Sequence, residues 1–159
     1  MRQDSLTAEY HAVPEVTEFD IIKTRFRHRH NRVRVRVQFV SLPSAVWTNV
    51  YLRGRTSDRA RFNVEVLKSP GLKHVQAGVL SKGRACDRPV HYTFDYANDL
   101  AVVGVPRKCL GRPRWVKVGA YVIGAQEPDT VEDDALREQV VYEQLGHPTQ
   151  SRRLARGSW

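Results

Sequence analysis

Seven cations stand between Lys23 and Arg36 with no acid among them: Lys23, Arg25, Arg27, Arg29, Arg32, Arg34 and Arg36. In the stretch RFRHRHNRVRVRVQF (25–39) arginine recurs at alternate positions, first against Phe and His, then against Val. Alternate residues of a strand share one side, so the stretch encodes two strands that each present a row of guanidinium groups. Such rows offer anion binding, because the planar fork of arginine pairs bidentately with phosphate or carboxylate. Three smaller groups also have chemical potential. His28-x-His30 has the spacing to place two imidazoles on one side of a strand, but a zinc site takes at least three protein ligands, so no metal site is expected. Trp47 and Tyr51 alternate with Asn49, a pattern compatible with an aromatic platform for a glycan, although a tryptophan so placed is more often a core residue. Cys86 and Cys109 are the two sulfurs able to pair.

Nucleophilic catalysis finds little support. No Gly-x-Ser-x-Gly occurs, and Ser41, Ser44, Ser57, Ser69 and Ser81 fall in turn-like contexts. Gly71, Gly78 and Gly83 read as turn or strand glycines, not as a phosphate loop opening a helix. The expectation is a protein that is not an enzyme and carries no cofactor.

These side chains must be positioned by strands. From about residue 20 to 124 apolar residues recur mostly with period two, in short runs broken by SLPS, RGRTSD, KSPGL, SKGRACD, YAND and KCLGRP. Strands are expected over 20–28, 32–42, 46–53, 60–67, 73–80, 89–96, 100–105 and 114–123. Eight such strands predict an all-β fold, an antiparallel β-sandwich of jelly-roll or Ig-like type. A short C-terminal helix is expected over 130–145, with Thr130 as cap, Asp133 completing a capping box, and Leu136, Val140 and Val141 docking on the sandwich. The organisation read from this is a flexible N-terminal segment (1–18), the sandwich (19–124), an acidic segment (125–146) and a basic flexible tail (147–159).

Pairing the first two strands about a turn at His30-Asn31 places Ile22 against Phe39 and Phe26 against Val35, with Val33 and Val37 on the same apolar side. The other side then opposes Arg25 to Arg36, Arg27 to Arg34 and Arg29 to Arg32. Directly opposed like charges destabilise a sheet by up to ~1 kcal/mol per pair. Three readings account for their retention: a solvated face screened by counterions, cover by the acidic block 127–143, or a surface for an external polyanion. Phe26 and Phe39 fall on the opposite side, so the third reading fits attraction to a charged backbone better than base stacking. A second hairpin about YAND (96–99) brings Cys86 opposite Cys109, a disulfide closing a loop of about two dozen residues.

The chain carries 26 Lys and Arg against 17 Asp and Glu, a net charge of +9, which favours polyanionic partners: nucleic acid, phosphate-rich envelope polymers, anionic lipid or an acidic protein. No apolar run approaches a bilayer span, and the opening MRQDSLTAEYHAVPEV has no apolar leader core, so either an intracellular chain or a mature form is expected. The pieces DIIKTRFRHRHNRVRVRVQFVSL and CDRPVHYTFDYANDLAVVGVPRKCLGRPRWVKVGA resemble a family of exported actinobacterial proteins of uncharacterised function, most specifically at VPRKCLG (105–111) and the following Trp115. The resemblance covers about residues 19–123. It implies a β-sandwich similar to family-nine carbohydrate-binding modules or DOMON domains, and an extracellular or cell-envelope location, as a disulfide would also imply. The function expected is a non-catalytic binding module for a polyanion or glycan. The alternative is an intracellular nucleic-acid-binding or basic assembly protein.

Overall fold

The computed structural model describes residues 2–3, 10–11, 18–126, 129–134 and 150–157. In chain order the strands are β1 (Arg2–Gln3), β2 (Tyr10–His11), β3 (Ile21–His28), β4 (Arg32–Phe39), β5 (Thr48–Thr56), β6 (Arg61–Lys68) and β7 (Gln76–Ser81). They continue with β8 (Arg84–Ala85), β9 (His91–Asp95), β10 (Leu100–Pro106), β11 (Trp115–Gln126), β12 (Asp129–Asp134) and β13 (Leu154–Ala155). Two antiparallel sheets result. The smaller runs β3-β4-β10-β9, the larger β2-β1-β12-β11-β5-β6-β7-β8, with β13 also paired to β11. This is the all-β sandwich expected, and each of the eight long strands read from the alternation is present.

The alternation explains the layering. In β4 the valines Val33, Val35 and Val37 are fully buried, and in β5 and β6 so are Val50, Leu52, Val64 and Val66. These inner faces form one core, closed at one end by Phe19 and Phe39. Burying each valine or leucine side chain contributes about 1.5–3 kcal/mol. Among the described residues no helix is long and apolar enough to cross a membrane.

Four details differ from the sequence reading. Ile21, not Ile22, pairs with Phe39, because a bulge between Ile21 and Lys23 resets the register; Ile22 is left 62% exposed. Thr130–Asp134, expected to open a helix, instead lies in β12 and pairs with Tyr121–Gly124 and Ala125 of β11. The free edge of a long central strand supplies those backbone groups with partners that an isolated helical turn lacks. Residues 135–145 of that expected helix, with Leu136, Val140 and Val141, lie outside the described residues. Gly54, read within a turn, sits inside β5. Within the stretch read as a basic tail, Leu154 and Ala155 pair with Val116 and Trp115, and the carbonyl of Leu154 hydrogen-bonds His28 Nδ1 at 3.1 Å.

Two titratable groups, half-buried Asp133 and buried His28, give the fold opposing pH slopes. Burial raises the Asp133 carboxyl to about 6, against the pull of the Ile21 N–H and with added repulsion from Asp20; that N–H donates to Oδ2 at 2.7 Å. Its folded pKa exceeds its unfolded one, so the native state holds the extra proton and stability falls as pH rises from about 4 to 6, by up to about 2–3 kcal/mol. Burial acts first on His28 too, lowering its pKa, so its contribution is lost as pH falls below about 6.5. Asp133→Asn is expected to leave only the His28 slope, with stability rising through that window. Denaturant midpoints at successive pH values measure it, and a decline persisting in the variant refutes the assignment.

Candidate functional site

The outer face of the smaller sheet is built from alternate residues of four strands. Arg25 pairs with Arg36 and Arg27 with Arg34. Across β4 the rows continue, Arg36 beside Val102 and Arg34 beside Gly104, then to Thr93 and His91 of β9. Arg25, Arg27, Arg34 and Arg36 are exposed while the intervening valines are buried, so the two arginine rows stand side by side on the solvent face. Among the described residues none of these four arginines forms an ion pair.

The acids near this face are spent elsewhere. Asp95 sits at its rim and caps the 3-10 turn Tyr96–Asn98, accepting from Asn98 N at 3.2 Å and from Asn98 Nδ2 at 2.8 Å. Asp99, left-handed at φ 49°, accepts from the Leu42 N–H at 2.8 Å. The acidic block does not cover the arginines within the described residues, because Asp129–Asp134 is a strand of the other sheet. Phe39 is buried and Phe26 half-buried on the inner side, which leaves no ring of β3 or β4 beside the arginine heads.

The structure brings the two cysteines together, with their Cα atoms 5.5 Å apart and the sulfurs bonded, inside the window a disulfide needs. The β9–β10 register is the one expected from the YAND turn, with Leu100 against Asp95 and Gly104 against His91. Cys86 follows β8 at the edge of the larger sheet, and Cys109 lies in the 3-10 turn Arg107–Leu110 after β10. The bond therefore staples one sheet to the other.

The remaining candidates separate. His28 is fully buried, whereas His30 is exposed in the β3–β4 turn; among the described residues no three metal-ligating side chains cluster. Asn49 and Tyr51 do share the outer face of the larger sheet. The ring stacked on Tyr51 is Tyr121, at 4.7 Å, while Trp47 precedes the strand and is half-buried. Asn49 Nδ2 donates to Tyr51 Oη and to Glu65 Oε1, each at 2.6 Å. Burial, then the Glu65 charge, pushes the Tyr51 hydroxyl up to about 12, so it stays protonated. Beside it opens a cleft of about 540 Å³ lined by Arg53, Asn63, Glu65 and Gln76.

A second basic feature escaped the sequence reading. At one end of the arginine rows a cleft of about 530 Å³ is lined by His30, Asn31, Arg88, Pro106, Arg107, Lys108, Arg112 and Arg156. Lys108, Arg107 and Arg112 are visible in VPRKCLGRPR. His30, Arg88 and Arg156 come from distant parts of the chain, so only tertiary packing gathers them. No protein-family model, curated protein or solved structure matches this chain.

Proposed function

We propose that this protein is a non-catalytic binding module whose smaller sheet presents its arginine rows to a polyanionic polymer, an acidic glycan or phosphate-rich envelope polymer among them. The observation that carries it is the Arg25–Arg36 and Arg27–Arg34 pairing on an exposed face, with no acid among the described residues paired to those four side chains. Opposed arginines repel one another by tenths of a kcal/mol up to about 1 kcal/mol per pair. A polyanion laid along the rows would convert that repulsion into attraction and release its own counterions. The rows offer guanidinium forks with no ring of β3 or β4 beside them and only the His91 imidazole across the sheet, which favours recognition of charge spacing over base identity.

An extracellular or cell-envelope location belongs to the same reading, supported by the disulfide, since such bonds persist in oxidising compartments. The intracellular nucleic-acid-binding reading becomes the competing outcome of the test. Replacing Arg25, Arg27, Arg34 and Arg36 with Gln is expected to abolish retention on a heparin matrix at about 0.15 M salt. The thermal midpoint should hold or rise, because the change also removes like-charge repulsion. Retention and salt dependence identical to the wild type would defeat the proposal. Tighter capture of single-stranded nucleic acid than of heparin at matched salt would favour the competing reading.

A further inference from the structure

The cleft at the end of the arginine rows differs in kind from the flat face beside it. Its walls come from the β3–β4 turn, the end of β10 and the loop 107–113, with Arg88 and Arg156 at the margins. Arg107 joins these walls. The residue is 8% exposed, and its guanidinium donates through Nη1 to the His30 carbonyl at 3.2 Å. Nη2 reaches the Arg112 and Pro113 carbonyls, each at 2.9 Å, and Nε the Pro113 carbonyl at 3.2 Å. The backbone is bent to make this possible: Gly111 and Arg112 are both left-handed, at φ 75° and 54°, a conformation that disfavours an arginine and collects at ligand-holding sites.

Arg107 is thus a largely buried cation on the cleft wall whose hydrogen bonds go to neutral carbonyls. Burial and then the charges of Arg156 and Arg112 depress its pKa, so its surroundings add positive charge. Carbonyl dipoles offset part of the desolvation, but a buried charge ordinarily has an opposite charge beside it. Among the described residues no acid lines the cleft, and Arg88, Lys108, Arg112 and Arg156 make no ion pair. An anion carrying two charges and several acceptor oxygens supplies what is missing, and a phosphate group does this with geometry matched to guanidinium forks. The volume, about 530 Å³, exceeds that of one phosphate and leaves room for the molecule that bears it.

We propose that the cleft formed by His30, Arg88, Arg107, Lys108, Arg112 and Arg156 is a discrete binding site for a phosphate group. The site is separate from the arginine rows and does not depend on them. Calorimetric titration at about 0.15 M salt, where the arginine rows are screened from the cleft, with inorganic phosphate in one arm and glycerol 3-phosphate in the other, tests it. The wild type is expected to bind saturably at one site per chain. Arg88→Gln with Arg112→Gln should weaken that binding at least about tenfold, the loss of one charge-assisted hydrogen bond being worth about that factor. Arg107 is left in place because it holds the cleft together. Lys108→Gln with Arg156→Gln provides a second test should the first pair fail to fold.

The variant lacking Arg25, Arg27, Arg34 and Arg36 is expected to bind phosphate within about twofold of the wild type, since its changes lie outside the cleft. Tighter binding of glycerol 3-phosphate identifies a phosphate borne on a larger molecule, and tighter binding of inorganic phosphate identifies the free ion; either supports the site. Absence of saturable binding to both ligands overturns it, as do cleft variants that bind like the wild type. Loss of binding in the arginine-row variant would place the ion on the flat face and overturn it as well. Failure of the heparin experiment leaves this result untouched, because the two sets of substitutions share no residue.

Discussion

Replacing Gly54 with alanine is expected to destabilise the protein by about 3 kcal/mol, at the upper end for an overpacked core. Strand propensity alone predicts the opposite sign, since alanine in place of glycine in a strand gains roughly 0.5–1 kcal/mol. The packing decides the outcome. A Cβ built on Gly54 would collide with the backbone carbonyl of Lys117 and with the Phe62 ring, whose Cζ would lie 2.5 Å away. Phe62 is 1% exposed and has no free volume to enter, and Lys117 O belongs to β11, whose pairing with β5 runs from Val116 to Gly124. The ring can turn only by disturbing the core, and the carbonyl can move only by opening the sheet. Equilibrium unfolding in guanidinium chloride checks this through a lower midpoint at unchanged slope. A Gly54→Ala variant as stable as the wild type would mean that the β5–β11 contact is looser than the structure has it. Gly124 repeats the arrangement at the other end of β11, where an added Cβ meets the buried ring of Phe19.

Cys86→Ser with Cys109→Ser is expected to lower stability by about 3 kcal/mol, from the loop entropy released to the unfolded chain. The cysteines are 23 residues apart, and the cost of closing such a loop falls mainly on the denatured ensemble. For a chain of this size the loss corresponds to a thermal midpoint lower by about 6–12 °C. A local effect is expected alongside it, because the bond joins the edge strand β8 to the 3-10 turn that begins with Arg107. Amide exchange at position 86, whose N–H donates to the Val79 carbonyl at 2.9 Å, and around Leu110 should quicken before that of β5 and β11. Scanning calorimetry with and without reductant measures the global part. A midpoint unchanged by the double substitution would remove the disulfide from the forces that hold the sheets together.

Much of the architecture was legible in the amino-acid order because a strand reports its faces directly. The RVRVRV run had one self-consistent arrangement, valines inward and arginines outward, and the pairings Arg25–Arg36 and Arg27–Arg34 followed from the His30-Asn31 turn. The YAND turn likewise specified the β9–β10 register, because Asp99 accepts the left-handed conformation that closes it, and the cysteines were thereby brought near one another. Local chemistry was sufficient in each case, since turn geometry and side-chain alternation act over a few residues.

What the tertiary structure alone decided involves partners far apart in the chain. Thr130–Asp134 has the caps and spacing of a helix start, yet the open edge of β11 offered hydrogen bonds that a local signal does not anticipate. Gly54 looks like a turn residue until Phe62 and Lys117 close over it. The bulge that expels Ile22 follows closely on Phe19, whose buried ring fits over Gly124 from a distant part of the chain. The arginine rows could be foreseen as a face, but whether acids covered them depended on which sheet β12 joined. The basic cleft collects His30, Arg88, Arg107 and Arg156 from four separate regions. Alternation determined the two layers and the charge each side presents, since it acts within a strand; the close approaches, the edge pairing and the cleft arose only when the layers met, because each is a contact between segments that carry no local signal of one another.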